Sequence, residues 1–209
     1  MKIKNKMPMY IAVQLENGNK NVWLPLPATK ERFSEALQRI GGQNGSFIIK
    51  QYNCRVPAIG RYMLMEEPLA VVNYLASRLN KLYDFEVLTL CAICDSDNYF
   101  YSAQQFIDYT FQTHCYTLLP GITDEEMLAT RYLNIKNSKS DIQLKEFVDK
   151  RKLGKQLAAD ENGVFVAHGY LTSLIGWKLP PSERRVPDSL NLKGVLNEDL
   201  YGDYENADV

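Results

Sequence analysis

The chain has 209 residues, enough for one large domain or two to three small ones, and 45% of them are apolar, so a hydrophobic core is expected. A formal net charge of −1 excludes both a strongly basic nucleic-acid-binding protein and a uniformly acidic one. No apolar run approaches the roughly 18 residues that span a bilayer. The basic N-terminal residues lack the apolar segment of a signal peptide. These features predict a cytoplasmic protein.

The first part of the chain has the pattern of a small α+β unit. Two β-rich runs flank Asn17-Gly18, a pair typical of a tight hairpin turn. Thr29 is a suitable N-cap for the amphipathic segment that follows, and Gly41 is a suitable stop. A third β-rich run comes next, so the order predicts a three-stranded antiparallel sheet with one helix packed across it. The predicted elements are strands over 9–15, 21–27 and 46–53 and a helix over 30–40.

The middle of the chain is predicted to be helical. Apolar residues recur at the helical period after Pro68, and a second apolar stripe continues through Phe85, Leu88, Cys91 and Cys94. Capping boxes, in which a hydroxyl residue precedes Glu or Gln by three positions, start at Ser102, Thr123 and Ser140. The predicted helices cover 69–82, 84–95, 103–112, 124–135, 141–150 and 151–160.

The last part of the chain returns to strands and then loses its pattern. Asn162-Gly163 predicts a turn, and the run over 164–175 is typical of a strand. Beyond Trp177 turn residues dominate, so this tail is predicted to be extended or disordered unless it docks. The fold class is therefore α+β: an N-terminal three-stranded antiparallel sheet with one helix, a helical middle domain and a mixed α/β C-terminal domain. The predicted domains are 1–61, 62–115 and 116–177, followed by the tail 178–209.

Four cysteines and two histidines are the residues most often linked to metal or redox chemistry. Cys91 and Cys94 could form a redox pair, or half of a zinc site with His114 and Cys115. Because the two thiols continue an apolar helical stripe, we expect them to be reduced and buried in the core. His168 is expected to be a structural strand or turn residue. The sequence contains no serine elbow, phosphate loop or dinucleotide motif, so no enzyme, cofactor or metal is predicted.

Charge is segregated along the chain. Up to Arg61 there are ten Lys or Arg and three Glu, and the last sixteen residues hold five acids and no base. This basic start is a candidate weak anion-binding surface, although it lacks the interleaved stacking aromatics of nucleic-acid-binding proteins.

Between Leu82 and Thr130 there are eight acids and neither Lys nor Arg. Such a stretch is either the solvated surface of a helical domain or a recognition face that attracts a basic groove. We call these eight residues the central carboxylates. They are Asp84, Glu86, Asp95, Asp97, Asp108, Asp124, Glu125 and Glu126.

Several segments, taken in order, resemble the ArdA antirestriction family. A strand with Tyr10-Ile11-Ala12 leads to a Trp-containing strand and to a helix ending at Ile-Gly. The segment LAVVNYLASRLNKL (69–82) is similar to the family's LNxLxxxLxxL helix, and 105–133 resembles the segment that ends in an aspartate-rich turn and a helix. The segment 146–171 resembles the closing element that ends in His-Gly-Tyr. The resemblance runs from about Tyr10 to Leu174.

The resemblance implies a non-enzymatic DNA mimic carried by mobile genetic elements such as conjugative transposons. Members are elongated, have three domains and typically form dimers, so a homodimer is one expected assembly. Their carboxylates are spaced like phosphates and occupy the DNA groove of type I restriction-modification or methyltransferase complexes in the bacterial cytoplasm. A groove that holds a polyanion gains its affinity from phosphate contacts, which carboxylates can replace. Direct binding to nucleic acid or to a membrane is not implied.

The chain departs from the family pattern at several acidic positions. The family's DYE-type turn reads Gln51-Tyr52-Asn53, its EY segment reads Arg61-Tyr62, and its YGRDL reads 153–157 without the aspartate. We therefore expect the DNA-mimic face to consist of the central carboxylates and not of the N-terminal loop. The alternative is an ArdA-scaffold interaction module of a mobile element. Such a module would have lost DNA mimicry and would bind another protein through the basic start or the tail.

Overall fold

The computed structural model describes residues 10–42, 47–60, 67–96, 102–135, 148–177 and 185–192. In chain order the elements are β1 (Ile11–Asn17), β2 (Lys20–Leu26), α1 (Lys30–Ile40), β3 (Ile48–Cys54), α2 (Pro57–Gly60), α3 (Leu69–Leu79), α4 (Asp84–Cys94), α5 (Ala103–Gln112), β4 (Tyr116–Leu119), α6 (Glu125–Ile135), α7 (Lys150–Asp160), β5 (Val164–Val166) and β6 (Gly169–Ser173). The N-terminal sheet with its helix, the helices of the middle and the C-terminal strands and helix confirm the predicted α+β class.

The chain divides into two compact units, each built around its own three-stranded sheet. Unit 1 consists of Met1–Tyr83, Phe100–Phe111 and Pro180–Val209. Unit 2 consists of Asp84–Tyr99 and Gln112–Leu179. None of the helices in the described part of the chain is long and apolar enough to cross a membrane.

The sheet of unit 1 has β1 in its centre, antiparallel to β2 on one side and to β3 on the other. Ile11, Val13 and Leu15 alternate along β1 and are fully buried, which is the period-2 pattern of a strand with one covered face. The register to β3 shifts between Gln14 and Leu15, and Lys50 is the extra residue of this β-bulge. The predicted three-stranded antiparallel sheet is confirmed.

Helix α1 covers the inner face of this sheet. The Thr29 Oγ1 atom accepts a hydrogen bond from the backbone N–H of Arg32 at 3.4 Å, and Gly41 adopts the left-handed conformation that ends the helix. Phe33 is fully buried and packs edge-to-face against Phe47, with ring centroids 5.9 Å apart. The predicted cap, helix and stop are confirmed.

Asn73 joins three parts of unit 1. Its side chain is fully buried on α3. The Oδ1 atom accepts from the Ala28 backbone N–H at 2.8 Å, and Nδ2 donates to the carbonyl oxygens of Ala28 at 3.0 Å and Leu190 at 3.2 Å. Leu192, two residues further along the chain, is fully buried. The described piece of the predicted tail therefore docks on unit 1.

The sheet of unit 2 has the order β4-β6-β5, with both pairs antiparallel. The single strand predicted over 164–175 is in fact a hairpin of two short strands, β5 and β6, that turns at Ala167-His168. The predicted turn at Asn162-Gly163 is confirmed, and Asn162 has a positive φ of 49°. Strand β4 was not predicted, because four residues after a helix carry too little periodicity to identify a strand.

Two of the three predicted capping boxes lie in the described residues, and one of them is confirmed. The Ser102 Oγ atom accepts from the N–H of Gln105 at 3.4 Å, as predicted for α5. At α6 the cap is Asp124, whose Oδ1 accepts from the N–H of Met127 at 2.8 Å, and Thr123 is not the cap. An aspartate is an equally good capping acceptor, so the helix starts one residue later than the capping box predicted.

Helix α7 begins at Lys150, one residue before the predicted start at 151. The sequence placed Lys150 at the end of a separate helix over 141–150. Asp149 is its N-cap, and its Oδ1 accepts from the N–H of Lys152 at 2.9 Å. The rest of the helix predicted over 141–150, including the Ser140 box, lies outside the described residues. Helix α7 packs on α6 through Gly154, where a Cβ atom would overlap the backbone carbonyl of Glu125. Only glycine allows this approach.

Candidate partner-binding surface

Helix α4 contributes the first of the central carboxylates. Asp84 and Glu86 lie in its first turn, where the positive end of the helix dipole stabilises negative charge. Asp84 is exposed. Glu86 is half-buried, and its Oε1 atom accepts a hydrogen bond from the Thr113 Oγ1 atom at 3.3 Å. No Lys or Arg occurs on α4, so the start of this helix carries charge of one sign.

The apolar side of α4 is shorter than the sequence predicted. Cys91 and Cys94 are buried as expected, but Phe85, on the same predicted stripe, is 54% exposed. The buried residues of α4 run without interruption from Thr89 to Cys94. The first turn therefore extends beyond the packed part of the helix, and Phe85 lies beside Asp84 at the surface.

Asp95 follows the last turn of α4 and lies next to His168 in the β5–β6 turn. The Asp95 Oδ2 and His168 Nδ1 atoms are 2.9 Å apart, and the side chains are 16% and 31% exposed. The contact lacks the alignment of a hydrogen bond, and the attraction is ionic only when the imidazole is protonated. Asp95 is thus a half-buried carboxylate with a specific neighbour inside unit 2.

Asp108 does not belong to an exposed face, which corrects the predicted set. It lies on α5 in unit 1, is only 5% exposed, and its Oδ1 accepts from the Gln104 Nε2 atom at 3.4 Å. Its neighbours on α5 are buried as well. The sequence assigns α5 one apolar stripe, but tertiary packing covers a wider arc that includes this carboxylate.

Three further central carboxylates lie at the start of α6. Asp124 and Glu126 are exposed and Glu125 is half-buried. Helix α7, which packs on α6 beside Glu125, carries four exposed cations. They are Lys150, Arg151, Lys152 and Lys155.

This part of unit 2 therefore mixes both signs of charge. The sequence contained a signal for this, the Lys-Arg-Lys run at 150–152, but not its position beside α6. Asp97 lies outside the described residues.

Among the residues that the structure describes, the cysteines form neither a cross-link nor a cluster of metal ligands. All four are free, and Cys91 and Cys94 are buried in α4, which confirms that prediction. His114 is exposed and Cys115 is half-buried. Within the described ranges, no three His, Cys, Asp or Glu side chains come together as metal ligands would.

The sequence model of the antirestriction protein (ArdA) family matches residues 16–172, which is well over half of the chain. The chain belongs to the ArdA family. This confirms the resemblance seen in the sequence. No curated protein matches the chain.

The segments with ArdA-like patterns form packed parts of both units. Asn73 of the LNxLxxxLxxL-like segment is the buried junction of unit 1. In the His-Gly-Tyr element, Tyr170 is fully buried and its hydroxyl donates to the Glu161 Oε2 atom at 2.9 Å. Burial, together with this carboxylate, raises the pKa of Tyr170 above its ordinary value. The segments that resemble the ArdA family therefore supply buried parts of both units.

Proposed function

We propose that this ArdA-family protein is a non-enzymatic antirestriction protein. It binds the DNA groove of a type I restriction-modification or methyltransferase complex through charge complementarity. The observation that carries this proposal is the one-signed charge at the start of α4, where Asp84 and Glu86 lie in the first turn of a helix that has no Lys or Arg. A groove that attracts phosphates attracts such a surface for the same electrostatic reason.

The density of charge indicates how strong this mimicry is. Asp84 and Asp95 are separated by about 16 Å along the helix axis, at 1.5 Å per residue. Duplex DNA carries roughly nine charges over that length. Over the same length this chain has three carboxylates, Asp84 and Glu86 in the first turn of α4 and Asp95 just after its last turn. The affinity should therefore depend less steeply on salt than that of DNA for the same groove.

The test is inhibition of a purified type I enzyme by the full chain. The variant D84K/E86K should weaken inhibition by at least about tenfold, because like charges that face each other cost several kcal/mol. The matched control is E31K/E35K, which reverses two exposed acids on α1 of unit 1. The proposal is wrong if both double variants inhibit equally, or if raising the salt concentration leaves inhibition unchanged.

A second candidate is an ArdA-scaffold module that has lost mimicry and binds another protein. Two observations favour it: Asp108 is buried, and the acids of α6 lie beside the cationic α7. Transfer of an unmodified plasmid into a restricting host separates the two candidates. The mimic should raise plasmid survival, whereas the module should leave it unchanged.

A further inference from the structure

An exposed aromatic residue, Phe85, lies between the acids that begin α4. Its neighbours in the first turn of this helix are the exposed Asp84 and the half-buried Glu86. Phe85 is 54% exposed, whereas the other phenylalanines that the structure describes are buried or half-buried. The core of unit 2 therefore leaves this residue at the surface, although the sequence placed it on the apolar stripe of the helix.

The backbone that carries Phe85 is held by the packed part of α4. The Oγ1 atom of Thr89, a fully buried residue, donates a hydrogen bond to the Phe85 carbonyl oxygen at 2.9 Å. Every residue from Thr89 to Cys94 is buried, so this hydrogen bond ties the exposed first turn to a fixed base. Because its backbone is already ordered, Phe85 loses little conformational entropy when a partner covers its ring.

The ring and the acids together offer the two chemical groups that a protein recognises in a nucleotide. The carboxylates of Asp84 and Glu86 carry the negative charge that a groove for DNA attracts at its phosphate contacts. An aromatic ring supplies the stacking face of a base, which charge alone does not reproduce. Enzymes that methylate DNA turn the target base out of the duplex into a pocket lined by aromatic and apolar side chains. Such a pocket beside phosphate-binding cations fits both groups.

We propose that Phe85 takes the place of a base in the base-binding pocket of the methyltransferase, while Asp84 and Glu86 take the place of neighbouring phosphates. This proposal rests on the antirestriction function proposed above and adds an apolar anchor to its charges. The two kinds of contact act at different stages of binding. Charges attract over a distance and raise the association rate, whereas a ring acts only in contact and lowers the dissociation rate.

The experiment measures the rates at which the full chain associates with and dissociates from a purified type I methyltransferase complex, by surface plasmon resonance. F85A should raise the dissociation rate roughly tenfold, because the stacking contact is lost. The association rate of F85A should stay within about twofold of that of the unmodified chain. D84K/E86K should instead lower the association rate and make it less dependent on salt concentration.

Two further variants separate stacking from simple apolar contact. F85W keeps an aromatic face and should dissociate as slowly as the unmodified chain, whereas F85L keeps an apolar side chain without a ring and should dissociate nearly as fast as F85A. The matched control is W23A, which removes a 42% exposed ring opposite Gln14 on the sheet of unit 1. It should bind the enzyme like the unmodified chain. Circular dichroism establishes that each variant is folded.

The outcomes distinguish this proposal from the one on which it rests. If the unmodified chain does not bind the enzyme, the antirestriction proposal fails and the role of Phe85 fails with it. If the chain binds but F85A or F85L dissociates as slowly as the unmodified chain, or W23A dissociates as fast as F85A, only the role of Phe85 is overturned. If F85A changes the oligomeric state of the free protein in analytical ultracentrifugation, the ring belongs to an interface between copies and the proposal is wrong.

Discussion

Unit 1 and unit 2 each have a three-stranded antiparallel sheet with helices packed on it. They differ in charge, in the length of their strands and in which sheet residues are exposed. In unit 1 the strands are seven residues long, and Trp23 lies exposed on the outer face of the sheet. In unit 2 the strands have three to five residues, and Tyr170 at the centre is fully buried. The longer sheet of unit 1 exposes an aromatic residue on its outer face, whereas the shorter sheet of unit 2 buries its central aromatic residue in the core.

The comparison also separates the two kinds of surface that the molecule offers. The acids of α4 lie on unit 2, and the exposed Trp23 lies on unit 1. Each unit contains one tryptophan, Trp23 in unit 1 and Trp177 in unit 2, so single-tryptophan variants provide a fluorescence signal that belongs to one unit. The predictions that follow use this property.

The largest expected effect concerns the junction of unit 1. N73A removes three hydrogen bonds and leaves buried backbone groups of Ala28 and Leu190 without partners. Since each such group costs about 1–3 kcal/mol, the free energy of unfolding of unit 1 should fall by about 4 kcal/mol. Urea denaturation followed through Trp23 measures this loss.

The matched control for this change is N80A, just after the same helix. The Asn80 Oδ1 atom has no hydrogen-bond partner within the described ranges, so its removal should cost less than about 1 kcal/mol. Equal losses for the two variants would show that Asn73 is not the junction. A matching loss in the Trp177 signal would show that the two units do not unfold separately.

The next effect concerns the helix pair of unit 2. G154A places a methyl group against the backbone of Glu125, which should lower the free energy of unfolding of unit 2 by about 3 kcal/mol. The control is G60A in unit 1, where the new methyl would lie 3.5 Å from the Cys54 Cβ atom, an ordinary contact. Thermal unfolding followed through Trp177 should show the loss for G154A alone. An unchanged midpoint would contradict the close approach of α6 and α7.

The smallest effect compares two tyrosines with buried hydroxyl groups, one from each unit. The Tyr170 hydroxyl donates to Glu161, whereas the Tyr52 hydroxyl is buried without a partner in the described structure. Y170F should therefore cost about 1 kcal/mol, and Y52F should be close to neutral. Chemical denaturation at neutral pH, followed through the tryptophan of the corresponding unit, measures both.

The raised pKa values of both tyrosines predict how the stability of each unit changes with pH. Burial raises the pKa of Tyr52 and of Tyr170 above the ordinary value of 10.0, so the folded units bind these protons more tightly than the unfolded chain does. The stability that these two protons contribute is fully present below pH 10. It is lost as the pH rises through the raised pKa of each folded tyrosine. In each of the variants Y52F and Y170F, the free energy of unfolding of the corresponding unit should decline less above pH 10 than in the unmodified chain. An unchanged decline in both variants would assign it to other groups.

Most local features of the chain were predictable to within two residues, although α3 ends three residues before its predicted end. The Thr29 cap, the helix that follows it and the alternation along β1 depend on contacts between residues close in sequence, so their signals are visible in the sequence itself. The cap of α6 at Asp124 was missed by one residue because two adjacent side chains are suitable acceptors. Strand β4 was missed because its stability comes from pairing with β6, more than fifty residues away.

The candidate surface was only partly predictable. The segregation of charge was visible in the sequence, but the exposure of each carboxylate was not. Asp84 and Asp108 are the same residue type on two helices of similar length, and only packing makes one exposed and the other buried. The same holds for Trp23, whose outward direction depends on which face of the sheet α1 covers.

By itself the sequence determined most of the segments that become helices and strands, that the thiols of α4 are core residues, and that the chain is ArdA-like, because these properties depend on local periodicity and motif order. Only the tertiary structure decided which acids reach solvent, where the cationic α7 lies and how Asn73 holds a segment 117 residues further along the chain. The physical reason is that burial and electrostatic neighbourhood arise from contacts between distant parts of the chain.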